Sequence, residues 1–221
     1  MHGDGDGWAY GPDGVRHWGR FGAAGLLVRA PLGDAGPAVL LQHRAQWSHQ
    51  GGTWGLPGGA RDSHESATAA ALREAFEEAG LDETLVRVRA ERVTTDIRDV
   101  WSYTTVVADS EALLKTVANR ESLELRWVPE AEVELLPLHT GFAASWPLLR
   151  AEPVRVLAPP PLPRAGARTV VLPGGGFGWL TGIEELTGGE GEAAGRDLTA
   201  VVGGDAGRSA RTVTLPPSAL D

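Results

Sequence analysis

Apolar residues in the first two thirds of the chain fall into short runs, and the spacing within each run predicts its element. GAAGLLVR (22–29) and PAVLLQHR (37–44) are strand-length apolar runs separated by a Gly/Pro/Asp turn, the pattern of a hairpin-like pair. VRVRAERVTT (86–95) alternates in period two, while SYTTVVA (102–108) and LELRWV (123–128) are rich in β-branched and aromatic residues. Between these groups, 63–79 reads as a helix: Asp62 and Glu65 have capping-box spacing, and Gly80 stands where a helix C-terminus commonly takes a left-handed residue. At about 100° per residue, Ala69, Leu72, Phe76 and Ala79 fall on one side, the expected core face. Glu74, Glu77 and Glu78 fan over the other. Further helices are expected over 110–118 and 142–151. The prediction is an α/β domain, a mixed sheet flanked by helices.

The flanks read differently. Residues 1–18 are rich in Gly and Asp with scattered aromatics and no periodicity, and are expected to form a flexible arm. The main domain is expected over 19–156. Beyond Val156, APPPLPRAGA (158–167) reads as a stiff linker. RTVVLP (168–173), LTAVV (198–202) and RTVTLP (211–216) then predict a small β extension within 157–221, in which GGGFG (174–178) reads as a turn.

Composition narrows the function. A chain of 221 residues with no cysteine has no disulfide scaffold. Its N-terminus lacks the basic and apolar regions of a secretory signal, and no apolar stretch reaches bilayer length, so a cytoplasmic setting away from membranes is expected. A formal net charge of −9 argues against coating a nucleic acid polymer. It does not exclude a small polyanionic substrate if metal ions supply the positive charge.

The acidic face of the 63–79 helix carries the chemistry. Like charges three and four residues apart cost a helix a few tenths of a kcal/mol per pair, roughly. Three carboxylates in reach of one another also make a hard-oxygen site for Mg²⁺ or Mn²⁺, which would cancel that repulsion. The cluster is framed at fixed offsets by Gly59, Glu65, Arg73 and Gly80. GARDSHESATAAALREAFEEAGL (59–81) resembles a complete Nudix box, with Ala75 and Leu81 at its apolar positions. The resemblance implies an α/β/α Nudix sandwich over about 20–152 and Mg²⁺- or Mn²⁺-dependent hydrolysis of a phosphoanhydride. It implies Glu74, Glu77 and Glu78 as metal ligands, completed by the Gly59 carbonyl, and Arg73 as the residue that orients a box glutamate. Glu65, on the far side of the wheel, is assigned to structure. The general base is expected among Glu77, Glu78, Glu124 and Glu121, with Glu124 preferred over Glu121 on the late strand.

LLQHRAQWSHQGGTWGLPGG (40–59) is similar to the MutT-like branch, which cleaves nucleoside triphosphates to monophosphate and pyrophosphate. There Arg44 matches a phosphate-contacting arginine, His49 lies in the loop shaping the nucleotide site, and Trp54 and Leu56 are candidates for the base pocket. His139 and Phe142 occupy the region where that branch reads the base, but the acidic pair or Asn that would mark an oxidised base is missing. The expected partner is a small nucleotide, with a homodimer involving the tail also open. The alternatives are an ADP-ribose, nucleotide-sugar or dinucleoside polyphosphate hydrolase and, from another class, a non-catalytic Nudix sensor; the intact box weighs against the last.

Overall fold

The computed structural model describes residues 3–12, 14–186, 197–204 and 209–221. It divides into two compact units, Met1–Trp146 and Pro147–Asp221. Among the described residues no helix is long and apolar enough to cross a membrane.

The first unit opens with β1 (Trp8–Tyr10) and β2 (Arg16–Trp18), an antiparallel pair. The segment before them is pinned as well: Gly5 N–H donates to Asp62 at 2.7 Å, and the Asp4 carboxylate accepts from the backbone N–H and hydroxyl of Ser63. The expected flexible arm is therefore a hairpin docked on the loop that precedes the acidic helix. Its polarity, which reads as disorder along the chain, is spent on these contacts.

β3 (Ala23–Pro31) and β4 (Pro37–Arg44) pair antiparallel beside their turn, from Pro31↔Pro37 to Arg29↔Val39, and then diverge. β3 continues against β6 (Gly58–Ala60) on the same side. On its other side it runs parallel to β8 (Trp101–Asp109), which in turn pairs with β7 (Arg87–Ile97). β4 takes β5 (Trp54–Gly55) and, along most of its length, β9 (Ser122–Pro129). The result is the expected mixed sheet. Alternate residues of its central strands, Ala24, Leu26, Val28, Leu40, Val106 and Ala108, form one core with α1 (Ala67–Ala79).

The face that α1 presents differs from the wheel drawn from sequence. Its buried residues are Ala67, Ala70, Ala71, Ala75, Glu78 and Ala79, while Phe76 is 64% exposed and Ala69 is exposed. A stripe of alanines lets the helix lie close on the sheet, where a phenylalanine would hold it off. The start also differs: α1 begins four residues later than predicted, with Ser66 as its cap accepting from Ala69 N–H at 3.0 Å. Glu65 makes half of the expected capping box, taking Asp62 N–H, but its other contacts go to Arg73. Gly80 closes the helix as predicted, with φ 66°, and the Gly80 and Leu81 N–H groups reach the Phe76 and Ala75 carbonyls.

Residues 110–118 are not helical, against expectation. Tertiary bonds outbid local propensity there: Val117 N–H donates to the Ala79 carbonyl at the end of α1, and the Leu114 carbonyl accepts from the Trp127 indole. The second helix, α2 (Thr140–Leu149), starts and stops two residues earlier than predicted.

The second unit carries the expected β extension as a five-stranded sheet. β10 (Ala151–Ala158) lies at its centre, parallel to β12 (Phe177–Glu185) and antiparallel to β13 (Leu198–Val202). β11 (Thr169–Val171) and β14 (Arg211–Leu215) form the edges. Val154, Val156, Leu180, Ala200, Val202 and Leu215 make a core of its own. The boundary expected after Val156 cuts the central strand, because Pro153 and the polar residues around it mask the period-two pattern of AEPVRVLA.

The alanine stripe yields a prediction. Ala75→Leu should destabilise the protein by about 1–3 kcal/mol through overpacking, whereas Phe76→Ala should stay within about 0.5 kcal/mol of the parent. Urea denaturation of both variants measures the contrast.

Candidate active site

The alanine stripe decides where the acids go. Glu74 and Glu78, one turn apart, flank it and are drawn toward β6, while the Glu77 side chain is 55% exposed. Glu78 is only 5% exposed, and its Oε2 accepts from Gly58 N–H at 2.8 Å. Gly59 runs so close to Glu74 that an added Cβ would stand 2.5 Å from its Oε1. The carboxylates are thus not all on the solvent side, as the wheel predicted; two of the three sit where helix meets strand.

Arg73 ties this corner together. Its Nε and Nη2 donate to the two oxygens of Glu65 at 2.7 and 2.9 Å, its Nη1 to Glu74 Oε1 at 2.8 Å, and Nη2 also to the Ala60 carbonyl at 2.9 Å. Glu77 stands 4.0 Å from Nη1. Glu65 therefore acts through Arg73, which joins α1 to the strand ahead of it and turns Glu74.

Burial pushes the Glu78 carboxyl up to about 8, with the Glu74 and Glu121 charges adding to the rise and the Gly58 N–H and Arg44 opposing it. Glu74 is likewise raised, by burial first, with Glu77 and Glu121 adding to the rise and Arg73 opposing it. Glu121 thus shares the field of the box. Its backbone is fixed by Asn119, whose side chain accepts from Glu121 N–H at 2.7 Å, and by Ala45, whose N–H donates to the Glu121 carbonyl at 2.9 Å. Glu124 pairs across from His43, is half exposed and lies 4.0 Å from Arg126. Of the two late glutamates, it is Glu121 whose charge reaches the box carboxyls.

A buried carboxyl whose ionised form is opposed by two further carboxylates suits a divalent cation. The donors at this corner are all hard oxygens, as Mg²⁺ and Mn²⁺ require. Glu74, Glu77, Glu78 and the Gly59 carbonyl could hold such an ion. Among the described residues, the acidic and histidine ligand atoms gathered within 4.8 Å of one another are instead those of Asp4, Asp62 and His64, beside the N-terminal hairpin. Asp4 and Asp62 are engaged there in holding the N-terminal segment to the loop before α1.

The residues expected to contact nucleotide split into two groups. Arg44 is half-buried, donates from Nε to the His49 carbonyl at 3.1 Å, and its charge acts on both Glu78 and His139. His49 is exposed, its ring 6.0 Å from that of His139. Gln50 fastens the same loop to α2 through two 2.9 Å bonds with Thr140. Burial pulls the His139 pKa down to about 4, aided by Arg44 and His49, and its Nδ1 accepts from Gly141 N–H at 3.2 Å. His139 is therefore neutral near pH 7, with its proton on Nε2. Trp54, Leu56 and Phe142 belong to the other group: they are 5, 6 and 7% exposed. Trp54 stacks on His43 with the Arg126 guanidinium over its ring, and Phe142 packs on Trp146. The structure gives Trp54 a core position rather than an open stacking face.

Sequence reasoning missed Tyr103 and Asn119. The Glu78, Arg44 and Glu74 charges all act on the Tyr103 phenol, which only the parallel pairing of β3 with β8 brings to this corner. Asn119 had a signal in its place two residues before an acid in a turn.

The raised carboxyls set a pH dependence. Because the folded protein holds the Glu78 proton that the unfolded chain has already released, stability without divalent cation should fall as pH rises from about 4.5 to about 8. Glu78→Gln should flatten that slope, so that its thermal midpoint gains on the parent progressively across this window in chelator-treated samples.

A family model for the NUDIX domain matches residues 20–150. The chain is 58% identical over 191 residues to a Mycobacterium tuberculosis protein named "Putative 8-oxo-dGTP diphosphatase 3", covering 82% of this chain and 86% of that one. It is 39% identical over 156 residues to a nucleoside triphosphate pyrophosphatase/Nudix hydrolase fusion protein of Bifidobacterium longum, covering 68% of this chain and 32% of the fusion. The crystal structure of the Nudix hydrolase RenU from M. smegmatis superposes with a TM-score of 0.63 at 58% identity, covering 65% of this chain and 91% of RenU. With the box, its corner and these relatives in agreement, the chain belongs to the Nudix hydrolase family, in its MutT-like branch.

Proposed function

We propose that the protein hydrolyses (deoxy)nucleoside triphosphates to the monophosphate and pyrophosphate, with Mg²⁺ as its working ion and Mn²⁺ as a substitute. The observation that carries this reading is the corner where Glu74, Glu78 and Glu121 share one field, with the Gly58–Gly59 backbone on one side and Arg44 facing it. A divalent ion held there supplies positive charge that neutralises the phosphate oxygens and polarises the bond to phosphorus.

The protein's own groups do the rest. Arg44 has the planar fork that meets phosphate oxygens in pairs, and its half-buried setting concentrates its charge. Glu121 is the general base we favour: it sits on a turn tied to β4 rather than in the helix, leaving the box carboxylates free for cations. Arg73 keeps Glu74 turned toward β6 and takes no part in proton transfer. Neutral His139 offers one N–H donor to the nucleotide without adding charge. We place the enzyme in the cytoplasm, with the free nucleotide pool.

The name of the 58% identical relative makes 8-oxo-dGTP the first nucleotide to test. Against an oxidised-guanine specialist stands the lack of an acidic pair or Asn in LPLHTGF (136–142). A hydrolysis screen with Mg²⁺ and Mn²⁺ across canonical and oxidised triphosphates, ADP-ribose, nucleotide sugars and dinucleoside polyphosphates decides the class. Pyrophosphate and monophosphate are the expected products. Glu78→Gln and Glu77→Gln should each reduce kcat by about a thousandfold or more while still reaching the native fold; Glu121→Gln should lose at least about a hundredfold. Near-parental turnover in Glu78→Gln would dismiss this corner as the hydrolytic site, whereas a parent protein that cleaves none of these compounds would leave the non-catalytic sensor.

A further inference from the structure

Tyr103 is built into the active corner and has no role in the reading so far. β8 places it opposite Ala23 of β3 in parallel register, and Gly58 of β6 lies opposite Gly25 of the same strand. The phenol lies across Gly25, where any added Cβ would run into its hydroxyl. The same hydroxyl lies 3.1 Å from where a Cβ of Gly58 would stand. Two neighbouring strands thus each leave out a side chain where the tip of this ring sits. Gly58 is also the residue whose N–H holds Glu78.

Among the described residues the Tyr103 hydroxyl has no hydrogen bond, although the charges of Glu78, Arg44 and Glu74 all reach the phenol. Tyr103 is only partly buried, so the hydroxyl is not sealed from an acceptor that enters the corner. Burial, and then Glu78, hold the phenol above its ordinary pKa, so it remains a neutral donor at any working pH. A donor without charge is what an already crowded field of carboxylates tolerates. The anionic oxygens that come to this corner during turnover are those of the phosphate chain.

We propose that the Tyr103 hydroxyl donates a hydrogen bond to a phosphate oxygen of the bound nucleoside triphosphate, across the glycine gap formed by Gly25 and Gly58. This assignment rests on the hydrolase reading above and adds a substrate-contacting residue to it.

Tyr103→Phe in the full chain is the test, because it removes one oxygen and leaves the ring in place. We expect kcat/KM to fall about ten- to a hundredfold, by the same factor for purine and pyrimidine triphosphates, as the loss of one charge-assisted bond does. The thermal midpoint and the Mg²⁺ concentration for half-maximal rate should stay at parental values. Gly25→Ala, which drives the hydroxyl from its place, should reproduce the loss and add little to it in the double variant. Unchanged kcat and KM in Tyr103→Phe would overturn the proposal. So would a raised Mg²⁺ requirement at unchanged nucleotide KM, which would give the hydroxyl to Glu78, or a loss of rate that merely follows a fall in thermal midpoint. Glu78→Gln assayed in parallel separates the two claims: if it is dead while Tyr103→Phe is fully active, only the tyrosine assignment fails. If Glu78→Gln is itself fully active, the placement of the hydrolytic site at this corner fails.

Discussion

Everything at the active corner depends on one guanidinium. Arg73 joins Glu65 ahead of α1, Glu74 within it and the carbonyl of Ala60 on β6, so a single planar group fixes the helix against the strand that precedes it. Its donors leave in fixed directions, which is why arginine and not lysine suits the position. With that tie in place, Glu74 cannot swing to solvent, and Glu78, one turn on, meets the Gly58 N–H. The positive charge also offsets part of the repulsion that the acidic cluster would otherwise impose on its own helix.

What the tie leaves uncompensated is as informative as what it satisfies. Glu78 is enclosed, shares its field with Glu74 and Glu121, and has one backbone N–H and the Arg44 charge in reply. Such a carboxyl resists ionisation until a cation arrives. The fold accepts this arrangement because the alanine stripe of α1 packs closely enough on the sheet to hold it. Stability and chemistry therefore pull on the same residues in opposite senses, as is common at catalytic sites.

The second unit stands apart from that logic. Its core is made by alternating apolar residues of β10, β12 and β13, and it needs nothing from the box to account for its sheet. The Pro- and Gly-rich composition that reads as a linker with a modest extension conceals two of the five strands, β10 and β12, since neither residue type advertises the period-two signal that marks a strand.

Local chemistry was legible in the chain itself. The box residues, the αL closure at Gly80, the turn between β3 and β4 and the class of the sheet all depend on neighbours a few residues apart, and for such features spacing is sufficient. The choices that failed are those made by distant partners. Which face of α1 is buried was decided by how near the sheet could come, so alanines displaced Phe76. Residues 110–118 gave up a helix because the end of α1 and Trp127 took up their backbone groups. The enclosure of Trp54 and the arrival of Tyr103 at the glycine gap both follow from strand pairing across many tens of residues. Sequence periodicity records which side of an element is apolar, but not which other element will cover it; only the packed sheet settles that, because pairing and burial are properties of two segments at once.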